Sequence, residues 1–160
     1  MIAWPDTRIL KLFGIEVPIL LAPMAGAAGS ALAIAVGKAG GLPSLPCAML
    51  SHEQIHEEVA LIRAGTHAPL NLNFFSHQNP DANPAADKAW KALLKPYYAE
   101  LGADFDAPTP TSNRAPFDDA SCALVEELKP EVVSFHFGLP GADFVQRVKA
   151  FLRLDAPLGR

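Results

Sequence analysis

A fold of parallel strands alternating with helices is what this 160-residue sequence predicts, and three observations carry the expectation. Four times the chain offers an apolar run, a short loop and then a helical pattern. The first run lacks polar alternation, as expected of a strand covered on both faces. Half of the residues are hydrophobic and 19% are charged, which supplies a full core for one domain or part of a larger one. Strand and helix in strict alternation imply a parallel α/β sheet with right-handed crossovers. No second domain is indicated.

The first run is PILLA at 18–22, followed by the loop PMAGAAG at 23–29 and a small-residue helix from about Ser30 to Ala39. Gly40 and Gly41 supply its stop. The second run, LPSLP at 42–46, is weakened by Pro43 and Pro46, which cannot donate to a ladder. Ser51 and Gln54 then form a capping box, and Ile55, Val59 and Ile62 share one helical face. The third run is PLNLNFF at 69–75. Its asparagines need explaining, because an unpaired buried amide costs about 1–3 kcal/mol.

Residues 76–116 are an excursion rich in Pro, Asn and Asp. Trp90, Leu94, Tyr97 and Leu101 share a helical face there, which Pro96 is expected to kink or split. Phe117, Ala120, Leu124 and Leu128 face one side of the next helix, ended by Pro130. The fourth run is EVVSFHF at 131–137, closed by Gly138, and Phe144, Val148, Phe151 and Leu152 mark a last helix.

The formal charge of −4 and the scatter of the 13 Lys and Arg residues argue against a nucleic-acid partner. Residues 17–36 carry no charge but are broken by Pro18, Pro23, Gly26 and Gly29, so a buried strand, loop and helix fit them better than a membrane span. No basic segment at residues 1–8 suggests a secretory signal. Cys47 and Cys122 have no C-x-x-C spacing and read as idle thiols of a reducing, cytoplasmic setting.

Residues 52–56, HEQIH, match the zinc-protease pattern H-E-x-x-H. The motif needs both histidines well inside a long helix, yet the cap at Ser51 puts His52 at the frayed first position. Val59 and Ile62 occupy the places of the Gly and His of the longer motif, and no glutamate lies between Glu58 and Glu100. An exposed polar helix face is expected instead, and no metal.

In parallel α/β folds ligands bind at the carboxyl ends of the strands. Three features converge on that edge. Residues 22–26 (Ala22, Pro23, Met24, Ala25, Gly26) let a flat ligand approach the backbone closely. Asn73, near the end of the third run, can both donate and accept. His136, near the end of the fourth, suits proton transfer near neutral pH. Each also admits a structural role: a small-residue helix lead-in, a local turn cap, and a packing residue between Phe135 and Phe137.

Taken together, LAPMAG at 21–26, KAGG at 38–41, PLNLNFF at 69–75 and VSFHFG at 133–138 resemble the nitronate monooxygenases, formerly 2-nitropropane dioxygenases. Order and spacing match from about Thr7 to Val148, although Ala-Pro-Met-Ala alone also occurs in related flavin reductases. The resemblance implies an FMN-dependent (β/α)₈ barrel that oxidises alkyl nitronates with dioxygen to a carbonyl compound and nitrite. Residues 22–26 would lie against the flavin, Asn73 would bind it, and His136 would position the anionic substrate or remove the α-proton of a neutral nitroalkane.

Departures from the pattern accompany the match. Pro43 and Pro46 replace small residues. Four strand–helix units stand where a barrel has eight and about 250 residues. The family's later glutamine and glycine-rich phosphate loops have no counterpart, and the tail 151–160 does not continue the pattern. The expectation is therefore an incomplete barrel of about four β/α units with an insertion after the third strand. Weak FMN binding and self-association through exposed strand edges are expected with it. The alternatives are a related FMN-dependent reductase of the enoyl-ACP reductase kind, drawing electrons from NAD(P)H, and a non-catalytic fragment.

Overall fold

The apolar runs become a small parallel sheet in the computed structural model, which describes residues 4–108 and 114–152. In chain order the elements are α1 (Arg8–Phe13), α2 (Ser30–Lys38), β1 (Ser44–Pro46), α3 (His52–Gly65), β2 (Asn71–Phe75), α4 (Pro84–Glu100), α5 (Asp119–Leu128), β3 (Val132–His136) and α6 (Ala142–Phe151). The sheet order is β1-β2-β3, with Leu45 beside Leu72 and Leu72 beside Val133. Each strand leads to a helix that returns over the sheet, although α4 intervenes between β2 and α5.

The first run is reduced from the expected strand. Residues 18–22 make one parallel bridge, Leu20 to Leu42, through Leu42 N–H to the Ile19 carbonyl (2.9 Å) and Leu21 N–H to the Leu42 carbonyl (2.9 Å). The next donor in such a ladder would be residue 23, a proline without an N–H. The bridge still places the run next to β1, so four β/α units follow one another, the first with an irregular strand. Pro43 and Pro46 are accommodated because they bound a β1 of only three residues. The Pro43 carbonyl accepts from Asn71 N–H (3.0 Å), and Cys47 N–H resumes pairing with the Asn73 carbonyl (2.8 Å).

Alternation along the strands separates two chemistries. Leu45, Leu72, Phe74, Val133 and Phe135 pack into one cluster with Ile55, Val59 and Ile62 of α3 and with Cys122, Leu124 and Val125 of α5. Burial of a Val or Ile side chain contributes roughly 1.5–3 kcal/mol. The opposite face carries polar groups: Asn71 Nδ2 donates to Ser44 Oγ (3.0 Å), and Asn73 Nδ2 to Ser134 Oγ (2.9 Å). These cross-strand bonds satisfy the Nδ2 group of each asparagine in the apolar strand.

Helix ends follow their sequence signals. The box at Ser51 is complete, with Gln54 N–H on Ser51 Oγ (3.2 Å) and Ser51 N–H on Gln54 Oε1 (2.8 Å). Asp118 caps α5 through Ser121 N–H (2.8 Å). The buried face of α5 is Ser121, Cys122, Leu124 and Val125 rather than the expected line through Ala120, which is exposed. Phe117 precedes the helix because Asp118 takes the cap position. Helix α5 ends on Lys129 in the left-handed region, φ 48°. Lys129→Gly should stabilise the protein by about 0.5–1 kcal/mol by relieving that conformation, read as a higher urea midpoint at unchanged slope.

Helix α1 had no counterpart in the sequence reading. It is six residues long and stops at Gly14, φ 66°, whose N–H bonds the Leu10 carbonyl.

By contacts the chain divides into two compact units, the described residues of 1–77 and 113–160 in one and those of 78–112 in the other. The second is built on α4, capped by Asn83 Oδ1 accepting from Ala86 N–H (3.0 Å). Pro96 neither ends nor splits it: α4 runs through as one helix of 17 residues. The carbonyl of Ala92, deprived of its partner, belongs to an exposed residue and can bond water. No residue of α4 is buried, and Trp90, Tyr97 and Leu101 are exposed. The tail from residue 153 lies outside the described residues.

Candidate active site at the carboxyl edge of the sheet

Parallel strands end together, so the residues following 18–22, β1, β2 and β3 share one edge. The loop after the first run is a tight turn. The Met24 carbonyl accepts from Ala27 N–H (3.0 Å) and Ala28 N–H (2.8 Å), and Gly26 supplies the positive φ, 79°. Ala22, Pro23, Met24, Ala25 and Gly26 are all exposed. A side chain built onto Gly26 would meet nothing within 4 Å. The backbone of this turn is therefore open, with Met24 the one large side chain on it. The loop runs into α2, whose first N–H, from Ser30, is taken by the Glu58 carboxylate of α3 at 2.7 Å.

Asn73 is 6% exposed, and its Nδ2 is engaged by Ser134. His136 stands in register with Phe75. Its carbonyl accepts from Ser76 N–H (2.9 Å), which locks the ends of β2 and β3 together. The His136 ring lies on an aromatic wall, 6.0 Å from Phe75 and 4.3 Å from Phe137 between centroids. Phe137 holds φ 68° and Gly138 φ 104°, so the chain turns sharply where His136 is exposed. A phenylalanine in that region is strained by about 1–3 kcal/mol, a cost that clusters at functional sites.

The structure thus joins Asn73, Phe75 and His136 on one face of neighbouring strands, with the loop 22–26 beyond β1 at the same edge. Among the described residues, three polar side-chain atoms are buried without partners: Asn71 Oδ1, of the asparagine pair already singled out, and Ser76 Oγ and His77 Nδ1, which sequence reasoning passed over. The available signal was a Ser-His pair directly after a strand, at the end where ligands bind.

HEQIH behaves as a helix start. His52 is the first residue of α3, and His56 Nε2 lies 3.6 Å from Glu127 Oε2. The Glu53 carboxyl is held below its usual range, first by its own backbone N–H and then by the Ser51 hydroxyl. Among the described residues no group of three His, Cys, Asp or Glu side chains could hold a metal ion. Cys47 and Cys122 are free and buried, and burial pushes the Cys47 thiol up to about 12. Among the described residues, no helix is long and apolar enough to cross a membrane.

Parallel strands with returning helices, and a histidine on an aromatic wall at the strands' carboxyl ends, define an α/β protein with a candidate ligand site at that edge. The nitronate monooxygenase family model matches residues 6–156, and the chain belongs to that family. It is 41% identical over 152 residues to a nitronate monooxygenase of Paraburkholderia phytofirmans, covering 92% of this chain and 41% of the relative. A nitronate monooxygenase of Pseudomonas aeruginosa is 38% identical over 145 residues, covering 89% and 41%. The chain therefore spans about two fifths of the length of these curated relatives.

Among solved structures, the nitroalkane oxidase of Streptomyces ansochromogenes superposes with a TM-score of 0.72 at 29% identity, over 86% of this chain and 39% of that one. A FabK variant from Thermotoga maritima shares the fold at a TM-score of 0.60 and 23% identity, over 92% of this chain and 37% of that one.

Proposed function

We propose that this protein works as an FMN-dependent nitronate monooxygenase, oxidising alkyl nitronates with dioxygen to a carbonyl compound and nitrite. The observation that carries the reading is the placement of His136. It is exposed at the end of β3, with its carbonyl tied to Ser76 and its ring set on Phe75 and Phe137. A base there is open to a small substrate while its ring is held against Phe75 and Phe137.

The residues present fit the ring of a flavin. The open turn at 22–26 would receive its face, and Asn73 would meet it through Oδ1, its Nδ2 being engaged by Ser134. When bound, the flavin supplies the electron transfer between substrate and dioxygen. The protein's own part is to hold the substrate anion beside His136 and, for a neutral nitroalkane, to take its α-proton at an imidazole nitrogen.

Steady-state assays of the purified chain with added FMN, using propionate 3-nitronate and separately NADH, test the reading. Dioxygen consumption driven by the nitronate is the expected result. Rapid NADH oxidation without nitronate turnover would replace the reading with that of a flavin reductase.

Self-association belongs to the same proposal. Ile19 and Leu20 on one border of the sheet, and Phe137 and Leu139 beyond the other, are exposed at 43–74%, and such borders invite pairing with another chain. Light scattering should report a species larger than the 160-residue monomer. A monodisperse monomer would refute it.

A further inference from the structure

Residues 73 and 75 of β2 share a face with 134 and 136 of β3, and two imidazoles meet the Phe75 ring. His77 lies 6.1 Å from Phe75 and His136 lies 6.0 Å from it, between centroids. His77 also meets Phe137 edge-on at 6.2 Å. Its Nδ1 is buried with no hydrogen-bond partner. A ring nitrogen among phenyl edges is costly to leave unpaired, so such an atom calls for a partner that the protein itself does not provide.

We propose that His77 is a substrate-binding residue, donating from Nδ1 to an oxygen of the nitro or nitronate group while His136 serves the carbon beside it. The inference rests on the nitronate reading above. The chemistry of the donor suits the ligand. An imidazole with its proton on Nδ1 offers one directed donor, and a nitronate spreads its negative charge over two oxygens that only accept. The burial of Nδ1 strengthens a hydrogen bond made there to an anion. Two imidazoles on one wall also divide the work: one fixes the oxygens and the other faces the proton.

The ligand-free cost and the ligand-bound gain belong to the same atom, and that separates this role from packing. His77→Phe keeps an aromatic ring beside Phe75 and Phe137 and removes the orphaned nitrogen. It should raise the melting temperature of the ligand-free chain by about 2–4 °C and weaken propyl-1-nitronate binding about tenfold. His77→Gln, which retains a donor, should recover part of that binding.

The direct measurement is a long-range proton–nitrogen NMR titration of the ¹⁵N-histidine-labelled chain, first with FMN and then with propyl-1-nitronate. The His77 Nδ1 resonance should move to saturation with the nitronate. If only His136 responds to the nitronate, the proposal falls and the functional reading stands. If His77 responds to FMN and not to the nitronate, the nitrogen belongs to the cofactor and the proposal is overturned. If neither histidine responds to the nitronate, both the proposal and the nitronate reading fail. Should His77→Phe lower the melting temperature and leave binding unchanged, His77 is a packing residue only. The wild-type titration decides the matter even if a variant fails to fold.

Discussion

His136→Ala should lower turnover on neutral nitroalkanes by about 10²–10⁴-fold, the usual contribution of a positioned general base, and should lower turnover on preformed nitronates much less. A neutral nitroalkane must lose its α-proton before it can be oxidised, whereas a nitronate has already lost it. Mutation of a base therefore separates the two substrates, and mutation of a packing residue does not. The geometry supports the first case. His136 is exposed rather than enclosed, and the strand ends beside it are joined by the Ser76 N–H bond to its backbone carbonyl. Removing the imidazole leaves that bond intact, so the edge should keep its shape. Parallel kinetics on nitroethane and ethyl nitronate measure the split. Equal, small losses on both would return His136 to a packing role.

The second large effect is expected far from any histidine. A Cβ added to Gly41 would stand 2.8 Å from the Ile19 carbonyl oxygen and 3.0 Å from Val36 Cγ1. The first contact is backbone and cannot rotate away. Gly41→Val should therefore push residues 18–22 off Leu42, breaking the single bridge that holds this run to the sheet. Overpacking of this kind costs about 1–3 kcal/mol. The loss should reach function as well, because the turn at 22–26 follows the bridge directly. Chemical denaturation measures the first effect, and a titration following flavin fluorescence measures the second. Unchanged stability together with unchanged FMN affinity would show that the run is held elsewhere.

The order of elements was legible because local signals agreed with tertiary need. The Ser51–Gln54 box, the stop at Gly40 and the apolar face of Ile55, Val59 and Ile62 all appear where pattern reasoning put them. The misses share a cause: each needed information from outside its own segment. The run at 18–22 is strongly apolar, but its ladder ends at the proline that follows it. Pro96 lies in an exposed helix, where water can bond the carbonyl left without a partner. The face of α5 turned away from Ala120 because Asp118, not Phe117, took the cap.

Of the candidate site, His136 and Asn73 stood out because a polar residue in an apolar strand is conspicuous. Ser76 and His77 escaped because they follow the strand, where polar residues are ordinary. Only the burial of their side-chain atoms in the folded chain distinguishes them.

The carboxylate of Glu58 on the first N–H of α2 has a consequence for what the neighbouring turn can recognise. A helix start after a glycine-containing loop ordinarily attracts anions. Here a resident negative charge, 28 positions along the chain, already occupies that end. The start of α2 thereby loses the pull it would otherwise exert on a phosphate. Under the proposed reading, selection at this corner would work by shape, and charge selection would fall to the imidazole side of the edge. The same bond fastens α2 to α3, so the platform is rooted in a helix whose apolar face is buried in the core, and its position is set by packing rather than by the ligand it receives.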